Sequence, residues 1–331
     1  MKRTLKLFAC CVVLLLLVGC DVHEWPEAPE FVKCHLSLTY QTEMTQWEHL
    51  YEDKDVVEKG YGTTYDNCRT SGQIRYIVRT FPISEEQRTL RSCVQEFVFT
   101  KEVAGGYDHE VTLELLPGDY TLMVWSDLVE SPEDALFYDA GNFNGVELQG
   151  AHRGCSDFRD AFCGQRAISL PRNDAKQQEV AVEVGMKRPL AKFEIVASDL
   201  LEFVNTNGGD IGRYKAKIHY IGYVPSTYSL FARRPVASAT GVTFESSMIK
   251  LSDSQLSLGY DYVFVSDNGS MVTVRIGIYD SQDRQISLTE PITIPIKPDH
   301  HTLLKGEFLM QNASNGVYID PNWGGDYNIV L

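Results

Sequence analysis

One cysteine occupies a position that suits a specific covalent chemistry. Cys20 follows an uncharged, mostly apolar run from Leu7 to Val18, and Asp21 begins an acidic stretch directly after it. Sulfur is the best side-chain nucleophile, so a cysteine at this change of polarity is suited to accept an acyl chain. The run has twelve residues, whereas spanning a bilayer takes about 20 apolar residues. It is therefore too short for a comfortable transmembrane helix.

The sequence around Cys20 predicts an exported lipoprotein. Three basic residues precede the apolar run, which is the pattern of a secretory signal peptide. Leu17-Val18-Gly19-Cys20 resembles the bacterial lipobox, where the signal is cut before the cysteine and the thiol is acylated. We predict that residues 1–19 are the signal peptide and that Cys20 carries two or more acyl chains, enough for stable anchoring. The alternative is an ordinary signal peptide with an incidental cysteine.

Five further cysteines remain in the predicted mature chain, and all lie in its first half. An exported protein can form disulfides, but an odd number leaves at least one thiol free or paired elsewhere. Cys155 and Cys163 share the loop-like stretch GCSDFRDAFCG and are the predicted pair. The alternative is five isolated, small core residues. The spacing of these cysteines does not match a zinc site.

Other reactive side chains do not form a catalytic pattern. His300 and His301 follow Asp299, and the pattern predicts a solvated turn rather than a shared metal site. The sequence has no nucleophile elbow, phosphate loop or metalloprotease helix. Among four tryptophans that could stack on sugar rings, Trp125 is predicted to be core and Trp323 exposed. We therefore predict no catalytic residue, no cofactor and no metal ion.

The charge balance excludes one class of partner. The chain has 30 basic and 45 acidic residues, for a net charge of −15. Nucleic-acid binding proteins need a basic surface, so we predict no nucleic-acid partner. An acidic, well-solvated surface is consistent with exposure at the cell exterior.

Polar and apolar residues alternate along most of the chain, which indicates β-strands. Residues 20–30 predict an acidic linker, because Pro26 and Pro29 disfavour helix. Many short strands separated by turn residues are typical of β-sandwiches, and we predict two in tandem with few short helices. The predicted domains are residues 31–186 and 187–331. Segment 128–165 is rich in turn residues and shows no sustained period. The alternating stretches are HLSLTY (35–40), IRYIVRTF (74–81), VQEFVFT (94–100), HEVTLELLPGDYTLMVWSD (109–127), QEVAVEV (178–184), LAKFEIVAS (190–198), YKAKIHYIGYV (214–224), YVFVS (262–266), MVTVRIGIYD (271–280), RQISLTEPITIPI (284–296), TLLKGEFLM (302–310) and DYNIVL (326–331).

Several motifs, taken in order, resemble one known family. They are CDVHEWPE after the lipobox, LPGDYTLMVWSD, VEVGMKRPLAKFEIVASDL, ITIPIKPDHHTLLKGEFL and the closing GVYIDPNWGGDYNIVL. Together they are similar to the Bacteroidetes fimbrial anchor subunits, a FimB-like family of lipoproteins in the fimbrillin group. The resemblance spans almost the whole predicted mature chain, but segment 128–165 matches nothing in it.

The resemblance implies two transthyretin-like β-sandwiches and a non-catalytic anchor at the base of a type V fimbrium. Such a subunit sits on the outer membrane, binds fimbrial shaft subunits by donor-strand exchange and limits fimbrial length. A donated strand completes the sheet of its neighbour with backbone hydrogen bonds. In this chain the terminal run with Tyr327, Ile329 and Leu331 on one face could be donated, or could close its own second sandwich. The alternative function is a surface glycan-binding lipoprotein, which an exposed aromatic platform would favour. A surface hydrolase would need a catalytic group that the sequence does not show.

Overall fold

A computed structural model describes residues 31–50, 56–62, 72–83, 93–131, 136–171 and 179–311 of the chain. Most of these residues form β-strands, so the predicted all-β class is confirmed. One α-helix, α1 (Leu200–Asn207), and 3₁₀ turns at Val103–Gly105, Asp157–Arg159 and Ile211–Arg213 join them. The strands in chain order are β1 (Val32–Tyr40), β2 (Met44–Leu50), β3 (Val56–Gly62), β4 (Gln73–Pro82), β5 (Gln95–Glu102), β6 (His109–Leu115), β7 (Gly118–Val129), β8 (Tyr138–Asp139), β9 (Val146–Leu148), β10 (Ala161–Leu170), β11 (Glu179–Met186), β12 (Leu190–Ala197), β13 (Tyr214–Tyr220), β14 (Tyr223–Ser229), β15 (Arg234–Thr240), β16 (Thr243–Ser246), β17 (Ile249–Lys250), β18 (Leu256–Phe264), β19 (Ser270–Asp280), β20 (Gln285–Leu288), β21 (Ile292–Ile296) and β22 (His300–Gly306).

The first sandwich packs a three-stranded sheet, β11-β1-β6, against a four-stranded sheet, β10-β7-β4-β5. The inward residues of both sheets share one apolar core. A turn at Pro117-Gly118-Asp119 connects β6 to β7, which lie in opposite sheets. Gly118 has φ +152° there, a backbone conformation that side-chain-bearing residues rarely adopt.

The second sandwich packs a six-stranded sheet, β17-β18-β12-β22-β2-β3, against the sheet β16-β13-β19-β20, in which β21 also pairs with β19. Its core includes Phe193, Ile276 and Leu304 and takes in Leu200 and Phe203 of α1. α1 is thus one of the few short helices that the sequence predicts, and Gly208 follows it with φ +94°. Two β-sandwiches, as predicted from the sequence, account for the two large cores.

One element departs from the predicted division of the chain. The antiparallel pair β2 and β3, residues 44–50 and 56–62, precedes residue 186 but belongs to the second sandwich, where β2 pairs in parallel with β22. Period-two patterning identifies a strand but does not say which sheet edge it joins. The rest of the predicted division, including the linker 20–30, stays a prediction.

A third core joins the sandwiches. It combines the outer face of β4 and β7 with segment 136–148 and with β14 and β18 of the second sandwich. A small sheet, β15-β14-β9-β8, links that segment to the second sandwich through antiparallel pairing of β9 with β14. Residues 136–160, part of the segment without a readable period, thus form the wedge between the two sandwiches. Buried members of this core are Met44, Ile77, Phe81, Met123, Trp125, Phe137, Tyr138, Ala140, Phe143, Val146, Ala161, Leu190, Tyr228, Leu230, Tyr262 and Phe264.

Candidate functional site

The first strand occupies the middle of its sheet. β1 pairs in parallel with β11 on one side and antiparallel with β6 on the other. Its alternating residues Val32, Cys34, Leu36 and Leu38 are buried in the first core. Fully burying such side chains stabilises the fold by roughly 1.5–3 kcal/mol each. Removing this strand would open an apolar groove flanked by two strands, which is the geometry that strand exchange requires.

The opposite face of β1 is polar and exposed. The imidazole Nδ1 of His35 lies 3.0 Å from the hydroxyl of Thr112 on β6. Lys33 and His35 lie 3.9 and 3.5 Å from the carboxylate of Glu179 on β11. Exposed pairs of this kind contribute about 0–1 kcal/mol. The strand is therefore held by its backbone ladder and its apolar face rather than by these charges.

Arg188 fixes the crossing where the chain leaves β1 for the second sandwich. Its guanidinium donates to the carbonyls of Gln41 and Thr42 at 3.1 and 2.7 Å. The same group pairs with the buried carboxylate of Asp160, with a closest distance of 2.8 Å. Burial alone would lower the pKa of Arg188, but Asp160 raises it above the ordinary value, so the charge is kept. One side chain thus ties together the crossing, the wedge and the link between β11 and β12.

Two arginines hold the wedge against the first sandwich. Arg75 on β4 makes a two-bond pair with Asp127 at 2.9 and 2.7 Å and also donates to the carbonyl of Tyr138. Arg79 lies four residues further along β4, on the same face. It donates to the carbonyl of Ala140, and its guanidinium lies 4.3 Å from the ring centroid of Phe143. Charged residues on the outer face of β4 are therefore covered by protein rather than by water.

Arg159 enters the end of the second sandwich. It lies 2.6 Å from the carboxylate of Asp261 and donates to the carbonyl of Tyr262 at 3.0 Å. His152 and the hydroxyl of Tyr220 each lie 2.6 Å from the same carboxylate. Burial alone would raise the pKa of Asp261, but these partners hold it below its ordinary value of 3.8. The carboxylate therefore stays ionised inside the protein.

A second buried pair lies beside the first. The ammonium of Lys192 on β12 lies 2.9 Å from the carboxylate of Asp157 in the wedge. The hydroxyl of Tyr262 donates to the same oxygen at 2.9 Å, and the ring of Tyr260 lies 4.2 Å from the ammonium. Losing one partner of a buried pair costs about 3–5 kcal/mol, because an uncompensated charge remains. The wedge is therefore bound to the second sandwich by polar contacts as well as by the third core.

The structure does not form the disulfide predicted between Cys155 and Cys163, since both thiols are free. Cys155 packs on the second core, and its backbone N–H donates to the carbonyl of Tyr260 at 2.8 Å. Cys163 lies on β10 opposite Trp125 and packs on the third core. Desolvation raises the pKa of the Cys163 thiol to about 12, so it stays protonated and unreactive. Sequence proximity had suggested the pair, but the wedge directs the two residues to different cores.

The predicted solvated turn at the histidine pair is wrong. Both residues begin β22, and His301 is buried with its Nε2 3.4 Å from the carboxylate of Glu194. His300 packs edge-on against Trp47 of β2, with ring centroids 4.4 Å apart. Polar residues after a proline and an aspartate resemble a turn, and their local spacing does not show that β2 pairs alongside them. Within the described ranges, no group of three or more metal-binding side chains is placed to hold an ion.

The remaining predicted residues are the aromatic candidates, the lipidation site and the C-terminal run. Trp125 is fully buried, as predicted. Two aromatic side chains are among the large exposed apolar residues in the described ranges, Phe31 and Tyr223, which belong to different sandwiches. They do not form an aromatic platform. The predicted lipidation site Cys20 and the predicted donor-strand residues Tyr327, Ile329 and Leu331 lie outside the described residues.

Within the described ranges no helix is long and apolar enough to span a membrane, and α1 has eight residues.

The contacts of the wedge with β4 have one trace in the sequence, the pair Arg75 and Arg79. They alternate with apolar residues in IRYIVRTF, and this pattern does not show whether the face they share is solvated or covered. An arginine keeps the same place in the alternation whether its strand face is exposed to solvent or covered by protein, because its aliphatic stem can pack on apolar groups in either case.

Comparison with known proteins places the chain in a family and near several solved structures. No curated protein matches it significantly. The fimbrial anchor protein Mfa2 from Porphyromonas gingivalis is 10% identical, with a TM-score of 0.38 over 78% of this chain and 82% of that chain. A fimbrial assembly protein from Parabacteroides distasonis is 12% identical, with a TM-score of 0.41 over 87% of this chain and 94% of that chain. The model of a family of unknown function (DUF6562) matches residues 29–331, and the chain therefore belongs to that family.

Proposed function

We propose that the protein is a non-catalytic fimbrial anchor subunit, tethered to the outer membrane by acyl chains on Cys20. It holds the fimbrial shaft by strand exchange and limits the length of the fimbrium. Its site of action is the cell surface, and its partners are shaft subunits and the membrane. The observation that carries the proposal is the position of β1, the strand that directly follows the predicted lipid linker.

The position of β1 supports an anchor that ends polymerisation. Eleven residues separate Cys20 from Val32, and an extended chain of that length spans at most about 36–40 Å. The resemblance to the fimbrillin group implies that its shaft subunits open a groove by losing an N-terminal strand. If β1 were cut away here, the lipid would leave with it, because both lie on the same side of the cut. A tethered subunit therefore keeps β1 and offers no groove at that position.

The C-terminal part of the described chain supports attachment of the shaft at the second sandwich. The described chain ends in the second sandwich, where the backbone N–H of Leu288 at the end of β20 donates to the carbonyl of Gln311 at 3.1 Å. Twenty residues follow Gln311, including the apolar run that could be donated. Because this exit lies in the second sandwich and the tether in the first, shaft and membrane attach at opposite ends of the chain.

Lipidation can be tested with a matched pair of cysteine variants. Cys20→Ala is expected to abolish incorporation of labelled palmitate and to release fimbriae into the medium. Cys11→Ala, in the same apolar run, is expected to keep both the label and the attached fimbriae. Labelled palmitate in the Cys20→Ala protein would show that this cysteine is not the acceptor.

The surface location has its own test, in which protease is added to intact cells. We expect the wild-type protein to be digested, and its complete protection would contradict the surface location.

Strand donation can be tested by deleting residues 326–331. If the run is donated, the isolated mature protein keeps its melting temperature, while shaft subunits no longer co-purify with it. If the run closes its own sandwich, the melting temperature falls, because an internal ladder and an apolar face are lost. An unchanged melting temperature together with normal shaft attachment would refute both placements.

A further inference from the structure

β1, the strand that follows the predicted lipid linker, runs parallel to β11, the last strand of the first sandwich along the chain. Eight residue pairs align β1 with β11, from Lys33 opposite Glu179 to Tyr40 opposite Met186. The N-terminal ends of both strands therefore lie together, and so do their C-terminal ends. A pull on the start of β1 and on the end of β11 would slide the two strands past each other.

The second sandwich repeats this arrangement. Six residue pairs align β2 in parallel with β22, from Thr45 opposite His300 to Leu50 opposite Lys305. β22 is the last strand of the described chain, and β12 pairs with its other side, also in parallel. In each sandwich the first strand along the chain thus lies parallel to the last one, β1 to β11 and β2 to β22.

A short crossing joins the two arrangements. Gln41 and Thr42 lie between β1 and β2, and Arg188 binds both of their carbonyls. The backbone N–H of Thr45 then donates to the carbonyl of Asp299 at the start of β22, at 2.9 Å. Tension that enters β1 therefore passes along one covalent path into β2, over a crossing that is itself fixed.

The direction of a pull decides how a strand pair breaks. When two strands slide along their length, all backbone hydrogen bonds between them are strained together. When the strands are peeled from one end, the bonds break one after another. The bonds are the same in both cases, so their equilibrium contribution does not distinguish them. The rate of forced unfolding does distinguish shearing from peeling, because this rate is set by the unfolding barrier rather than by equilibrium stability.

We propose that the pairs β1–β11 and β2–β22 form a two-stage shear clamp that keeps the protein folded under tension between membrane and shaft. The physiological role of the clamp rests on the proposed function, which places the tether at the N-terminus and the shaft on the second sandwich. The clamp itself is a mechanical property of the chain. The buried apolar face of β1 adds to it, since sliding the strand withdraws Val32, Leu36 and Leu38 from the core.

Single-molecule pulling on the full mature chain tests each stage with a matched pair of handles. For the first stage, one handle is placed at the N-terminus and the other at an azide-bearing residue in place of Lys187 or of Glu179. Both positions are exposed, just after the end and at the start of β11. The handle at 187 loads β1 and β11 in shear, whereas the handle at 179 peels them apart. We expect the high-force unfolding peak seen with 187 to be lost with 179.

For the second stage, one handle replaces the exposed Glu43 and the other replaces Glu307 or Lys297, just after and before β22. The handle at 307 is expected to give the higher unfolding force. Equal forces within either pair, or a higher force in the peeling direction, would overturn the two-stage clamp. A failure of lipidation at Cys20 would refute the anchor but leave these forces unchanged, so the two proposals can fail separately.

Discussion

At the scale of single residues, the structure reveals ionisable groups that the sequence did not identify as buried. His301 and Glu194 face each other between β22 and β12, and both are almost fully buried. Burial lowers the pKa of His301 below its ordinary value of 6.5, despite the opposing effect of Glu194. For Glu194, burial alone would raise the pKa, but His301, Ser257 and Lys192 hold it below 4.5.

These shifts predict how stability depends on pH. Below pH 6.5 the unfolded chain protonates His301 before the folded protein does, so the unfolded state binds more protons and stability falls. Below pH 4.5 the same argument applies to Glu194, which stays ionised in the folded protein. We expect His301→Gln to flatten the loss that begins near pH 6.5, and Glu194→Gln to flatten the loss below pH 4.5. Urea unfolding across this pH range measures both, and a wild-type slope in both variants would contradict the assignment.

Residue patterns predicted some side-chain environments and missed others for a physical reason. Trp125 was correctly predicted as core because it lies within an alternating strand. The histidine pair and the cysteine pair were misread, because their surroundings come from residues distant in sequence. Local spacing carries no information on which remote strand covers a polar side chain.

At the scale of elements, the period-two pattern identified most strands that pack on the two sandwich cores. It predicted no strand at β2 or β3, and it would not have shown which sheet they join, since a strand has the same pattern in either sheet. It also missed β8 and β9, which have two and three residues and are too short to show a period. Most of the longer strands were therefore readable from the sequence, whereas sheet membership was not.

The central place of β1 predicts an asymmetry between its two faces. Leu36→Ala is expected to destabilise the protein by about 2–5 kcal/mol, because it leaves a cavity in the first core. Lys33→Ala, on the exposed face of the same strand, is expected to change stability by no more than about 0.5 kcal/mol. Urea unfolding compares the two variants directly. Equal effects would show that β1 is not an integral strand of the first sandwich.

At the scale of the whole molecule, the wedge makes two sandwiches into one unit. Segment 136–160 supplies residues to the third core, pairs β9 with β14 and carries Asp157 and Arg159 into the second sandwich. Its lack of period is explained by its role. A segment that packs on three surfaces in turn has no single apolar face to repeat, so the sequence showed turns where the structure has an interface.

This organisation predicts one cooperative unfolding transition for the mature protein, because neither sandwich can unfold without exposing the third core. We expect the substitution Arg159→Leu to uncouple the unfolding of the two sandwiches. It leaves Asp261 buried with fewer partners, at a cost of about 3–5 kcal/mol that falls mainly on the second sandwich. Calorimetry is expected to show a single transition for the wild type and for Arg234→Leu, an exposed control on β15, but a split or broadened transition for Arg159→Leu. Two transitions in the wild type would show that the wedge does not couple the sandwiches. A single, unshifted transition in Arg159→Leu would show that the coupling depends on the apolar contacts alone.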